Sequence, residues 1–258
     1  MKEETIFYES NGSRVPAFSV TPSDAIGGLV VLHEVWGLVP HIKDVCKRLS
    51  KLGFAAVAPN LYWKHEGLMF PAKIQEAMEA VWDLPLEKRY DLSTVKRELA
   101  KKGSPEQTLE LIRILYNRGF RDQMLGDAIS CTQYISSKYG KLGIIGFSMG
   151  GGLAARAATK FRPLRSCVVF YGEPPDARDV PKLSGPILLI NAEHDDIINS
   201  KIPGFVEASM ASGKDLTLKL YPETKHGFFN DTNKQVYNRE AAEDAWEITK
   251  WFLKRTFQ

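Results

Sequence analysis

The chain has 258 residues, 44% of them hydrophobic and 25% charged, a balance ordinary for a globular protein and sufficient for one large α/β core. A net charge of +3 with scattered basic residues argues against a nucleic-acid partner, and no apolar run reaches membrane-spanning length. The opening residues, MKEETIFYES, carry no secretory apolar region, so the expected compartment is the cytoplasm.

Strand-like runs alternate with helical patterns along the chain. GGLVVLHE (27–34) is nearly continuous in aliphatic residues, as a strand buried on both faces should be. Ile42, Val45, Cys46, Leu49 and Leu52 then recur at helical spacing, and FAAVAP (54–59) reads as a second short strand. Residues 61–138 break this rhythm: they are rich in Met, Trp, Leu and charge, and they predict several helices and no strand. KLGIIGF (141–147), RSCVVFYG (165–172), PILLINAE (186–193) and DLTLKLYP (215–222) follow as strands. A final helix over 236–256 places Ala241, Ala242, Ala245, Ile248, Thr249, Phe252 and Leu253 on one side. Strand alternating with helix means parallel strands with crossover helices, hence an α/β fold with an open sheet covered on both faces. With no linker or repeat, residues 1–258 read as a single domain carrying a helical decoration at about 61–138 that partly covers a site.

Cys46, Cys131 and Cys167 form no disulfide or zinc pattern and read as buried thiols. Asn11-Gly-Ser and Asn230-Asp-Thr match the glycosylation pattern by chance.

The chemistry centres on GFSMG, residues 146–150, where an apolar strand meets a helical pattern. G-x-S-x-G in that context is a nucleophile elbow: Ser148 occupies a strained turn, so residues two away must lack side chains. The turn also leaves the Met149 amide at a helix start, where it can stabilise an oxyanion. Serine needs a base, and the base needs an orienting acid. In α/β-hydrolases these follow in the order Ser, acid, His, each after a later strand. Here Asp195 and Asp196 follow one strand, and His226 follows the last. The strand at 27–34 runs into H-E-V-W-G, where the Val35 amide can be a second oxyanion donor. Residue 37 is glycine, so H-E-x-x-H and its zinc chemistry are absent. Glu34 is unusual there, because a carboxylate beside an oxyanion opposes the chemistry unless it is neutral, paired or turned away.

The stretch VVLHEVWGLVPHIKDVCKRLSKLGFAAVAPNLYW, with GIIGFSMGGG, INAEHDDII and KHGFF, resembles the dienelactone hydrolase (carboxymethylenebutenolidase) family. The resemblance implies an α/β-hydrolase sheet of about eight strands, cleavage of a carboxylic ester or lactone, and no cofactor or metal. It places the acid at Asp195 in the triad Ser148, Asp195, His226, and it gives Glu34 a contact with the nucleophile. Two departures stand out. The family nucleophile is typically cysteine, and an arginine that binds substrate carboxylate four positions after the histidine is here Asn230. Asn230 is therefore expected to offer substrate only a neutral amide, and neutral short-chain esters or lactones are the expected substrates. A thioesterase or acyl-transfer enzyme, or a binding protein on the same fold, would share these motifs.

Overall fold

The computed structural model of the protein describes residues 1–81 and 83–258. It opens on an antiparallel hairpin, β1 (Lys2–Ser10) and β2 (Ser13–Thr21), with Ser10 opposite Ser13. The two turn residues, Asn11 and Gly12, have φ of 49° and 74°. Asn and Gly tolerate that region, and turns of this hand match the twist of paired strands. The sequence pattern does not predict this hairpin, because β1 is largely exposed and lacks a continuous apolar run.

The remaining elements follow the expected alternation. They are β3 (Gly27–Leu32), α1 (Pro40–Lys51), β4 (Phe54–Pro59), α2 (Pro71–Ala80), α3 (Leu92–Lys101), α4 (Glu106–Leu115) and α5 (Arg118–Ser136). Then come β5 (Leu142–Phe147), α6 (Met149–Ala158), β6 (Ser166–Phe170), β7 (Ile187–His194), α7 (Asp196–Asn199), α8 (Ile202–Ala211), β8 (Leu216–Lys225) and α9 (Arg239–Phe257). Among the described residues the strands form one eight-stranded sheet in the order β1-β2-β4-β3-β5-β6-β7-β8. From β4 to β8 all neighbours are parallel; β2 joins β4 antiparallel. This is the α/β-hydrolase architecture.

Strand periodicity sorts the core onto two faces. On β3, Val30 and Leu32 join one cluster, while Leu29 and Val31 join the other. Burying each such side chain stabilises the fold by about 1.5–3 kcal/mol. α1 covers the second face through Ile42, Val45, Cys46 and Leu49, joined by Phe252 and Leu253 of α9. The first face is covered by α5 and by the apolar sides of α2, α3 and α4, through residues such as Ile74, Val95 and Leu111. All three cysteines are buried and free.

Two features of this topology position the site. β3 has β4 on one side and β5 on the other, so the strand order reverses there and leaves a crevice at the carboxyl ends of β3 and β5. β3 also stops at Leu32 instead of running through residue 34, which releases His33, Glu34 and Val35 from the ladder into that crevice.

Candidate active site

Ser148 lies between the end of β5 and the start of α6, with φ 52° and ψ −117°. A non-glycine residue held there costs on the order of 1–3 kcal/mol, which the surrounding packing must offset. Its amide is tied to the Phe170 carbonyl at 2.9 Å. The flanking glycines are required sterically. A Cβ on Gly146 would lie 2.1 Å from the Gly150 carbonyl oxygen, and one on Gly150 would lie 2.3 Å from Leu32 O and 2.5 Å from His33 O. The elbow is thus pressed directly against the end of β3.

Ser148 Oγ lies 2.7 Å from His226 Nε2, and His226 Nδ1 lies 2.5 Å from Asp195 Oδ2. With Asp195 accepting from Nδ1–H, Nε2 is left bare and faces the serine hydroxyl. That is the tautomer a general base needs. The Asp195 side chain is 9% exposed and that of His226 42%, so the acid is sheltered and the base reaches the crevice. Asp196 instead opens α7, and the described contacts bring Asp195 alone of the two to His226. His194 is exposed and lies beside Glu193.

Next to Ser148, Met149 opens α6, where first-turn amides have no intrahelical acceptor. The carbonyls flanking the Val35 amide are both occupied. Glu34 O accepts from Gly37 N at 3.1 Å and sits 2.7 Å from His33 Nδ1, while Val35 O accepts from Tyr62 Oη at 2.8 Å. The same phenol lies 3.7 Å from Met149 Sδ, so Tyr62 spans the two expected oxyanion donors. Burial pushes the Tyr62 phenol above its ordinary range, with Arg121 pulling the other way. It stays a protonated donor.

Glu34 and Asn230 take different roles from those expected. Glu34 is 2% exposed, but its oxygens accept from Tyr171 Oη at 2.9 Å and Asn230 Nδ2 at 2.6 Å, whereas Ser148 Oγ bonds to His226. Among the described residues no hydrogen bond joins Glu34 to Ser148. Two neutral donors, Tyr171 and Asn230, thus pair the Glu34 carboxyl group. Asn230 is 3% exposed, and both ends of its amide are engaged: Oδ1 accepts from Thr232 N at 3.1 Å and Thr232 Oγ1 at 2.6 Å, and one of the two Nδ2 hydrogens goes to Glu34. Burial and these bonds turn its amide toward Glu34 and Thr232. Its side chain ties the loop after His226 to the loop after β3.

Sequence reasoning passed over His33, Tyr62 and Tyr171. Tyr171 is buried at φ 37°, holds Glu34, and places its ring 5.2 Å from that of His226. Burial, then the nearby Glu34 charge, raise its phenol pKa far above the ordinary range. The positive φ cannot be read from residue type, and these partners are far apart in sequence. Arg121, on α5, has its Nε buried with no hydrogen-bond partner among the described residues.

An elbow serine bonded to a histidine–carboxylate pair at a switch point of this sheet defines a serine hydrolase of the α/β-hydrolase fold. Residues 15–257 match the dienelactone hydrolase family, and the chain belongs to that family as a carboxylic ester hydrolase. It is 40% identical over 255 residues to a protein of Saccharolobus solfataricus named "Putative carboxymethylenebutenolidase", covering 98% of each. It is 30% identical over 257 residues to "Protein usf" of Aquifex pyrophilus, covering 97% of each. Solved structures with the same fold include a dienelactone hydrolase-like promiscuous phosphotriesterase from metagenomic libraries, with TM-score 0.72 at 17% identity, covering 100% of this chain and 99% of that one. Another is the dienelactone hydrolase of Anabaena variabilis, with TM-score 0.60 at 18% identity, covering 98% and 97%.

Proposed function

We propose that the protein cleaves small carboxylic esters or lactones through an acyl-Ser148 intermediate. Ser148 Oγ bonds to the substrate carbonyl carbon as its proton passes to His226 Nε2. Asp195 keeps the imidazole oriented and stabilises its cation. The carbonyl oxygen, now anionic, is held by the amides of Val35 and Met149. Collapse breaks the C–O bond to the leaving alkoxide, which takes the proton from His226; a lactone's alkoxide stays tethered to the acyl group. Water then repeats the sequence and releases the acid. The observation that carries this reading is the unbroken chain Ser148–His226–Asp195, with links of 2.7 and 2.5 Å. A fluorophosphonate probe tests it: the protein should be labelled at Ser148, and the His226→Ala variant should not. Failure of the wild type to react would favour a non-catalytic binding protein.

For substrate class we favour neutral short-chain esters or lactones, because Asn230 is committed to Glu34 and Thr232. One observation supports an anionic substrate instead. Arg121 has a buried Nε without a partner among the described residues and acts electrostatically on Tyr62, beside Val35 and Met149. Comparing kcat/KM for a neutral ester and an anionic lactone, in wild type and Arg121→Met, separates the two. A loss confined to the anion would establish the second reading.

The site calls for a small molecule as its partner, not nucleic acid. Three free, buried thiols suit a reducing compartment such as the cytoplasm. We also read residues 1–258 as one folding unit, because α2, α3 and α4 share a core cluster with β3 and β5.

A further inference from the structure

His33 is fully buried and has both ring nitrogens engaged with backbone. Its Nε2 accepts from the Leu61 amide at 3.2 Å, so that nitrogen carries no hydrogen. The proton must then reside on Nδ1, which donates to Glu34 O at 2.7 Å. Leu61 follows β4, so the ring also bridges the ends of two adjacent strands.

The bond to Glu34 O has a geometric consequence. A trans peptide points its carbonyl and the following N–H in opposite directions. Fixing Glu34 O toward His33 and Gly37 therefore turns the Val35 N–H the other way. The next carbonyl, Val35 O, is fixed by Tyr62, whose ring lies 5.1 Å from the His33 ring. Contact between Gly150 and the backbone of Leu32 and His33 then sets the distance from this loop to the elbow.

We propose that His33 is a positioning residue: a neutral imidazole whose Nδ1–H sets the plane of the Glu34–Val35 peptide and so aims the Val35 amide at the oxyanion. It does not touch substrate, and this role rests on Val35 being an oxyanion donor. Burial supports the neutral form by holding the His33 pKa down at about 4. A protonated ring could no longer accept from Leu61.

The test separates the two nitrogens. Asparagine can place an N–H near the position of Nδ1, and glutamine can place an acceptor near that of Nε2. His33→Gln should keep the Leu61 contact, lose the one to Glu34, and lower kcat by about 10–100-fold while KM changes less than about threefold. Removing an oxyanion donor outright costs about 10²–10³-fold, and a misdirected donor should cost less. His33→Asn should recover at least about tenfold of that kcat loss. Equal kcat in the two variants, or losses that track thermal stability alone, would overturn the proposal. Ser148→Ala is run in parallel. If it retains turnover, the hydrolase reading itself fails; if it is inactive while His33→Gln matches wild type, only the role of His33 fails. Should His33→Gln not fold, 15N-histidine NMR of the wild-type protein decides. One ring should remain protonated at Nδ1 and uncharged from pH 8 down to pH 5, and an Nε2–H tautomer for His33 would overturn the assignment.

Discussion

On the β5, β7 and β8 side, the site is made of side chains in direct contact: Ser148, His226 and Asp195 each come from a strand end and bond one to the next. On the β3 side it is made of backbone, with His33 and Tyr62 holding the carbonyls of Glu34 and Val35. The difference lies in where information is stored. A triad needs particular side chains, whereas an amide is present at nearly every residue and becomes functional only through its orientation. The first side is half open to solvent at His226; the groups that shape the second are buried and uncharged.

Breaking the side-chain half should have the largest effect. Ser148→Ala or His226→Ala should lower kcat by on the order of 10³-fold or more, with an unchanged circular dichroism spectrum. Alanine fits the elbow as well as serine does, so near-normal ester hydrolysis would remove Ser148 from the chemistry. Next comes the orienting acid: Asp195→Asn should cost on the order of 10²–10⁴-fold in kcat, since an amide no longer enforces the tautomer. Asp196→Asn should cost less than about threefold, and the reverse order would reassign the acid.

The backbone half should respond more mildly. Tyr62→Phe leaves Val35 O without its donor and should lower kcat by about tenfold with KM little changed. A change confined to KM would place Tyr62 in substrate binding instead. Glu34→Gln leaves one acceptor oxygen for two buried donors, so an N–H2 faces either Asn230 or Tyr171. It should therefore reduce stability by about 1–3 kcal/mol while activity falls less than in the triad variants. Denaturant unfolding beside initial rates would separate these effects.

The smallest effect concerns acid. The His33 pKa is lowered from 6.5 to about 4 in the folded protein. Below pH 6.5 the unfolded chain takes up a proton that the folded ring refuses, so stability falls as pH drops from 6.5 toward 4. His33→Gln should flatten that part of the stability-against-pH curve, and an unchanged curve would show that His33 does not contribute to it.

Much of the α/β body was legible in the sequence because parallel strands buried on both faces leave continuous apolar runs, as in FAAVAP at β4. The elbow was legible because Gly146 and Gly150 are needed sterically; strand ends gave the order Ser148, an aspartate at 195 or 196, then His226, and the family resemblance pointed to Asp195. The N-terminal hairpin escaped because β1 is mostly exposed on a sheet edge and shows a weak apolar pattern; its clearest mark is Asn11-Gly12. The position of Glu34 was legible, and its partners were not. Whether a carboxylate faces Ser148 or Asn230 depends on how Tyr171 and the loop after β8 pack against it, contacts 137 and 196 residues away along the chain. His33 meets Leu61 across 28 residues, and Tyr62 meets Val35 across 27. Residue type and spacing thus determined the sheet and the strand ends that carry Ser148 and His226. The direction of the oxyanion loop and the tethering of Glu34 were decided only by tertiary structure, because a hydrogen bond depends on distance and angle between groups that sequence order leaves unconstrained.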